Sequence, residues 1–286
     1  MSNLLEVRGL TKTFKSFSLQ DISFSVPGGS IMGMVGENGA GKTTTIKLIL
    51  NEMQSNGGEI KVFGLDLKKH ERKIKEQIGV VFDDSYFPGD FNSHNISSLL
   101  KNFFQTWDEP LYQSYLKEFN LPKDKKIKDF SKGMRMKLSI AAALAHHPRL
   151  LILDEATSGL DPVVRSEILD LLLDFIQDEE HAVLFSSHIT ADLERIADYV
   201  TFVHDGKVLL SDSKDAILDS YGVVKCSAQD FAKLSNKEYL RNRKNSFGCE
   251  ALVANRTTFQ KAHPSLVVDA AGIDDIMVFY GKEHHQ

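Results

Sequence analysis

The densest chemistry in this sequence lies in nine consecutive residues. Gly36, Glu37, Asn38, Gly39, Ala40, Gly41, Lys42 and Thr43 fill the pattern G-x-x-x-x-G-K-[ST], and Thr44 follows. Glycines at these positions let successive backbone N–H groups turn toward one anion. A helix starting behind them adds the partial positive charge of its N-terminus. Lys42 is a cation able to reach terminal phosphates, and the Thr43 hydroxyl is a ligand for Mg²⁺. The flanks suit this work. Residues 30–35 form a short apolar run that reads as a buried strand, and residues 44–50 open a helix with apolar side chains at 46, 49 and 50. A chance glycine turn would lack this strand–loop–helix context, so the segment reads as a site for a nucleoside triphosphate.

A second cluster lies downstream. Leu150-Leu-Ile-Leu153 is an apolar run ending in Asp154-Glu155. It reads as a strand of a parallel sheet buried on both faces, with two carboxylates at the end where open α/β sheets bind ligands. Asp154 is expected to hold Mg²⁺ through water. Glu155 is the better candidate to orient or deprotonate an attacking water. Alone, such a pair also reads as a solvated strand exit. The phosphate loop upstream favours the second half of a hydrolytic site.

Between these clusters runs Asp129-Phe-Ser-Lys-Gly-Met134. It resembles the signature motif of ATP-binding cassette (ABC) ATPases, Leu-Ser-Gly-Gly-Gln in consensus, and keeps Ser131 and Gly133. Ser158-Gly-Leu-Asp161 resembles the family's D-loop, and Ser187-His188 its switch histidine. Phe14, in Thr11-Lys-Thr-Phe14, stands where the family stacks an aromatic on adenine. Outside this order, Phe14 would read as strand core and His188 as an ordinary loop histidine. Ser131 also reads as a helix N-cap, a role compatible with facing a phosphate. The ordered motifs cover residues 1 to about 220.

The resemblance implies an α/β fold of the P-loop NTPase, ABC type. That fold has a mostly parallel core sheet, an antiparallel β portion and a helical subdomain. The resemblance implies ATP and Mg²⁺ as the bound species. Phe14, residues 36–44, Ser131, Gly133 and Asp161 would touch nucleotide. Thr43, Asp83 and Asp154 would face the metal, with Glu155 and His188 catalytic. It also implies two cassettes paired head to tail, as a homodimer or with a paralogue, each sandwiching ATP between one phosphate loop and the other's Ser131 and Gly133. One departure matters. Asp83-Asp84 occupies the place where the family usually has a metal-facing glutamine, which adds negative charge beside the triphosphate. Lys132 and Met134 depart as well.

The elements that must position these residues are legible in outline. Alternating or apolar runs at 4–8, 19–26, 58–63, 78–82, 182–185 and 199–203 read as strands, with a hairpin around Asp205-Gly206. Residues 66–77, 93–106, 109–119, 133–146, 163–177 and 191–197 read as helices, and Pro162 sits at a preferred helix start. The expected division is a 1–222 ATPase domain, helical over about 85–148, and a small α+β extension at 223–286. In the extension, strands at 223–227, 250–254 and 276–280 and helices at 228–235 and 236–244 fit the pattern.

Composition narrows the role. Of 286 residues 42% are hydrophobic and 26% charged, and the net charge of −5 speaks against a general nucleic-acid binder. Residues 221–286 carry a slight positive excess that reads as solvated surface. Two cysteines without metal or redox spacing point to a reducing compartment. The N-terminus reads as lacking a signal peptide, no stretch is apolar enough to span a bilayer, and the terminal Glu283-His284-His285-Gln286 reads as exposed rather than metal-binding. The expectation is a peripheral protein on the cytoplasmic face of the membrane, bound to a separate transmembrane permease subunit. Within the family the motif combination resembles exporter ATPases for drugs and peptides, phenol-soluble modulins among them. A soluble ABC ATPase acting on ribosomes is the alternative, though such proteins usually carry two cassettes. Only 112 positions separate Lys42 from Asp154, too few for the inserted coiled coil of chromosome ATPases.

Overall fold

The computed structural model describes residues 2–245 and 248–281, so the 283–286 tail lies outside it. The chain opens with an antiparallel pair, β1 (Asn3–Thr13) and β2 (Ser18–Pro27). A turn then delivers β3 (Ser30–Val35), every residue of which is buried. The phosphate-loop segment and α1 (Lys42–Ile49) follow, then β4 (Gly57–Val62) and the two-residue β5 (Leu65–Asp66). These strands complete an antiparallel sheet in the order β2-β1-β4-β5.

Next come α2 (Glu71–Lys75) and β6 (Ile78–Val81). The helix expected over 66–77 is thus cut to five residues. Asp66 belongs to β5, and Leu67 and Ile74 are the buried anchors among otherwise solvated lysines. Three helices follow: α3 (Ser93–Leu100), α4 (Glu109–Glu118) and α5 (Lys132–Leu144). They share a core built on Ile96, Tyr112, Leu116, Leu138 and Ala141.

The main sheet resumes with β7 (Leu150–Asp154), α6 (Pro162–Phe175), β8 (Ala182–Ser187), α7 (Thr190–Ile196), β9 (Tyr199–His204), β10 (Lys207–Ser213) and α8 (Lys214–Ser220). Its order is β10-β9-β3-β8-β7-β6. All neighbours are parallel except the β9–β10 hairpin. Strand periodicity sorts this sheet into two cores. Met32, Met34, Ile152 and Leu184 pack toward α1 and the antiparallel sheet. Ile31, Val35, Leu151, Leu153 and Phe185 pack toward α6, α7 and α5. That double burial is why β3, β7 and β8 read as unbroken apolar runs.

The last stretch holds β11 (Gly222–Cys226), α9 (Ala228–Phe231), β12 (Arg241–Asn245), β13 (Gly248–Val253), α10 (Arg256–Ala262), β14 (Val267–Ala270) and α11 (Ile273–Gly281). Its sheet order is β12-β13-β11-β14. Here the sequence expectation fails in two places. Residues 241–245 form a strand against β13 rather than part of a helix. Residues 276–280 are helical, although Ile-Met-Val-Phe-Tyr favours a strand. Burial overrides propensity, because Ile273, Ile276 and Phe279 recur every three residues and all enter the main core. Among the described residues no helix is long and apolar enough to cross a membrane.

Candidate active site

The phosphate loop is the connection from β3 to α1. Gly36 follows the buried strand, where a Cβ would stand 2.2 Å from the Val203 carbonyl oxygen, so no side chain fits. Gly41 takes a φ of 114°, a conformation that favours glycine. It stands at the N-cap of α1, and no side chain caps that helix. The first-turn N–H groups are therefore available to an anion, with the helix dipole behind them. Asn38, Gly39 and Thr43 are exposed and Thr44 half-buried, while Ala40 is buried and its carbonyl accepts from Gly206 N–H at 3.0 Å.

Lys42 is only 5% exposed. Its Nζ donates to Gly36 O at 2.6 Å and Glu37 O at 3.3 Å, and lies 3.1 Å from Glu155 Oε1. The last contact is an ion pair without hydrogen-bond alignment, so Glu155 Oε1 is a buried acceptor with no hydrogen-bond donor. The other oxygen, Oε2, lies 2.6 Å from His188 Nδ1 and accepts the His188 backbone N–H at 3.3 Å. Nδ1 thus carries a proton toward the carboxylate, and in the neutral ring Nε2 keeps its lone pair. Lys42, Glu155 and His188 form one chain of polar contacts across the ends of β3, β7 and β8.

Glu155 has a φ of 54°, unusual for a residue with a side chain. Its N–H donates to Ser186 O at 3.1 Å and to Ser186 Oγ at 3.2 Å, which holds it there. Ser186 Oγ also donates to Asp154 Oδ1 at 2.5 Å, and Asp154 is buried. Ser186 thus orients both members of the acidic pair from the neighbouring strand. The loop after Glu155 is tied down by Asp192, itself buried. Asp192 accepts Thr157 Oγ1 at 2.7 Å and pairs with Arg165 Nε at 2.5 Å. No motif in the sequence pointed to Ser186 or Asp192. Parallel pairing of β8 with β7, and packing of α7, bring them in.

The remaining expected residues lie apart from this chain. Phe14, 41% exposed, stacks at 29° on Phe17 with centroids 6.4 Å apart, and Lys12 Nζ lies 5.6 Å from its ring. Phe17 reaches the phosphate loop, its ring 3.1 Å from where a Gly41 Cβ would be. Sequence reading missed Phe17; the aromatic pair spaced by three was the available signal. Asp83 is exposed, two residues past Val81, whose parallel partner is Leu153. Asp84 is turned away to Arg135 Nε at 3.2 Å. Its carboxyl is held below the usual range by the Ser85 backbone N–H and then by Arg135.

Ser131 is the N-cap of α5, accepting Met134 N–H at 3.2 Å, and Asp161 caps α6, accepting from Val163 and Val164 N–H at 3.1 Å each. A Cβ on Gly133 would touch Val164 of α6 at 3.4 Å. Among the described residues, no hydrogen bond or ion pair joins Ser131, Gly133 or Asp161 to Lys42, Glu155 or His188. Glu37 pairs instead with His204 Nδ1 at 3.1 Å.

The donor set fits Mg²⁺. A buried carboxylate and a helix-start hydroxyl beside a phosphate loop suit a small hard ion that keeps several waters and takes phosphate oxygens. No group of three or more His, Cys, Asp or Glu able to cage a metal occurs among the described residues.

A buried strand, an uncapped glycine loop and an acid–histidine pair on adjacent parallel strands define a P-loop ATPase. Residues 19–158 match the family described as ABC transporter. The bacitracin transport ATP-binding protein BcrA of Bacillus licheniformis is 32% identical over 212 residues, covering 73% of this chain and 69% of that protein. The ABC transporter ATP-binding protein YtrB of Bacillus subtilis is 28% identical over 219 residues, 76% of this chain and 75% of that one. Among solved structures, an ATP binding subunit of an ABC transporter superposes with a TM-score of 0.68 at 29% identity, covering 75% and 91% of the two chains. CbiO1 from Clostridium perfringens, part of the cbiONQ complex, gives 0.65 at 25% identity, covering 74% and 89%. The chain belongs to the ABC transporter ATP-binding proteins. It is an ATP-binding, ATP-hydrolysing subunit of a transport complex.

Proposed function

We propose that this ATPase drives export through a separate transmembrane permease, with Glu155 as the residue that orients the attacking water. The carrying observation is the position of Glu155 between Lys42 and His188. Lys42 leans on loop carbonyls and on Glu155, groups that a triphosphate would replace. Release of Lys42 to phosphate leaves Glu155 Oε1 free to accept a proton from water. His188, donating through Nδ1, fixes the orientation of the carboxylate and presents Nε2 outward. Bound at Thr43 and Asp154 with Asp83 nearby, Mg²⁺ would neutralise charge developing on the phosphates. Phe14 and Phe17 offer an aromatic platform for the base.

Ser131, Gly133 and Asp161 act in this reading on the nucleotide of a second cassette. The exposure of Ser131 and Asp161 at the starts of α5 and α6 supports that assignment. ATP then closes the pair, and hydrolysis lets it open. The division at residue 222 belongs to the same proposal, with 223–286 as an accessory unit. The relative named for bacitracin transport supports a drug- or peptide-like cargo, and membership of CbiO1 in an ABC transporter complex supports a permease partner. A peripheral position on the cytoplasmic side follows from such a partner.

A docking surface is available. A groove of about 560 Å³ runs between the core and the helical segment, floored by Leu50, Ile78, Val80, Phe82 and Phe104. Phe103 at its rim is 68% exposed. Tyr86, 76% exposed, stands edge-on to Phe82 at 5.2 Å. The turn around Pro88 also holds Phe87 and Phe91, but these pack into the helical core. The test is purification of the full chain from membranes. An integral membrane subunit should come with it, and Tyr86→Glu or Phe103→Glu should remove it and its stimulation of turnover. Recovery of ribosomes in place of a membrane subunit would contradict the proposal.

A further inference from the structure

The last described helix is joined to the ATPase centre at both ends. At its start, Ile273 N–H donates to Glu194 Oε1 of α7 at 3.1 Å, and Thr190 Oγ1 donates to Asp274 Oδ1 at 3.3 Å. Thr190 is the first residue of α7, two positions after His188, and no side chain caps that helix. At its end, the Tyr280 ring lies 6.1 Å from His204, the residue paired with Glu37 of the phosphate loop. A Cβ on Gly281 would stand 3.4 Å from Glu37 Oε2. A nine-residue helix rises roughly 13 Å, so α11 bridges the His188 segment and the edge of the phosphate loop. Its buried face, Ile273, Ile276 and Phe279, shares one core with Leu193 and Ile196 of α7. Its other contacts lead into the C-terminal sheet. The Arg241 guanidinium lies 5.0 Å from the Tyr280 ring, and that of Arg243 lies 4.9 Å from Phe279.

We propose that α11 is a strut for the ATPase reaction. Glu194 and Asp274 are positioning residues for His188, and Tyr280 is one for Glu37. The two loops joined by α11 carry opposite ends of the Lys42–Glu155–His188 chain, and a shift of one against the other changes how Glu155 faces water. This rests on the catalytic reading of Glu155 and His188 given above. It assigns residues 273–281 to the reaction rather than to packing, and it makes the C-terminal sheet the lever behind them.

The test is steady-state ATP hydrolysis by full-length variants, with kcat and KM resolved and the thermal midpoint recorded. Glu194→Ala with Asp274→Ala should lower kcat about five- to tenfold with KM for ATP within twofold. Glu194→Gln with Asp274→Asn should return kcat to within twofold of wild type, because an amide oxygen accepts the same donors. Tyr280→Ala should raise KM severalfold, whereas Tyr280→Phe should not, since the ring and not the hydroxyl makes the contact. Unchanged kcat and KM in the alanine variants would overturn the strut. So would a loss that tracks a lowered midpoint and is not restored by the amides. Glu155→Gln assayed alongside separates the two readings. If it turns over normally, the catalytic reading fails; if it is inactive while the alanine variants are normal, only the strut fails.

Discussion

Lys42 has three ammonium protons, and the structure gives it two loop carbonyls and the edge of one carboxylate. That arrangement is self-satisfied but replaceable, which a phosphate site needs. Charge-assisted hydrogen bonds contribute about 1.5–3 kcal/mol each, so Lys42→Ala should weaken ATP binding by roughly two orders of magnitude. Isothermal titration reads this directly, and near-unchanged affinity would remove the phosphate-loop assignment. Gly36, Gly41, Lys42 and Thr43 were legible in the sequence because their work is local: one loop, one helix start. Asp154 and Glu155 were legible as the polar end of an apolar run. Ser186 and His204 were not, because strand pairing and sheet contact bring them to the site. Asp83 was legible only as a departure. If it meets the metal as proposed, Asp83→Gln should retain ATPase activity in a steady-state assay, because an amide oxygen can take the same place.

Elements set which residues can meet. β3, β7 and β8 are buried on both faces, and their register puts Asp154 opposite Ser186. The helical core is joined to the sheet just after α5. His146 is buried there, Nε2–H donating to Ile78 O at 3.1 Å, with its ring stacked on Phe104 at 3.9 Å. Burial pushes its pKa below the ordinary 6.5. The sign follows. The unfolded chain takes up the proton at higher pH than the folded one, so stability from the neutral ring is complete above 6.5 and falls as pH drops from there through the folded value. Thermal midpoints should decline between pH 7 and 5, and His146→Gln should flatten that decline. An identical pH profile in the variant would show that other groups carry it. Long periodic elements such as α5 and α6 were legible to within two residues. β12 and α11 were not, because their state is decided by the sheet edge and the core they join rather than by local preference.

Ser131 and Asp161 are occupied in capping their own helices, and each faces solvent. In the proposed head-to-tail pair, each would face the nucleotide of the other cassette. The chain has a mass of 32.0 kDa. Light scattering on Glu155→Gln with ATP and Mg²⁺ should therefore report twice that mass, and Ser131→Arg introduced into the same variant should return it to one chain. A single-chain mass for Glu155→Gln under saturating ATP would argue against closure driven by nucleotide. The motif order along residues 1–220 made the architecture of the ATPase core readable. The extension carries no motif, and its attachment through α11 emerges only from tertiary contact.

In the proposed reaction Glu155, held between Lys42 and His188, directs the water that cleaves ATP. The most direct measurement is single-turnover hydrolysis by wild type and Glu155→Gln at saturating ATP, with nucleotide affinity measured on the same samples. Affinity should stay within about threefold while the rate falls at least ~100-fold, the usual worth of a general base. Hydrolysis by Glu155→Gln at the wild-type rate would contradict it, since some other group would then be positioning the water.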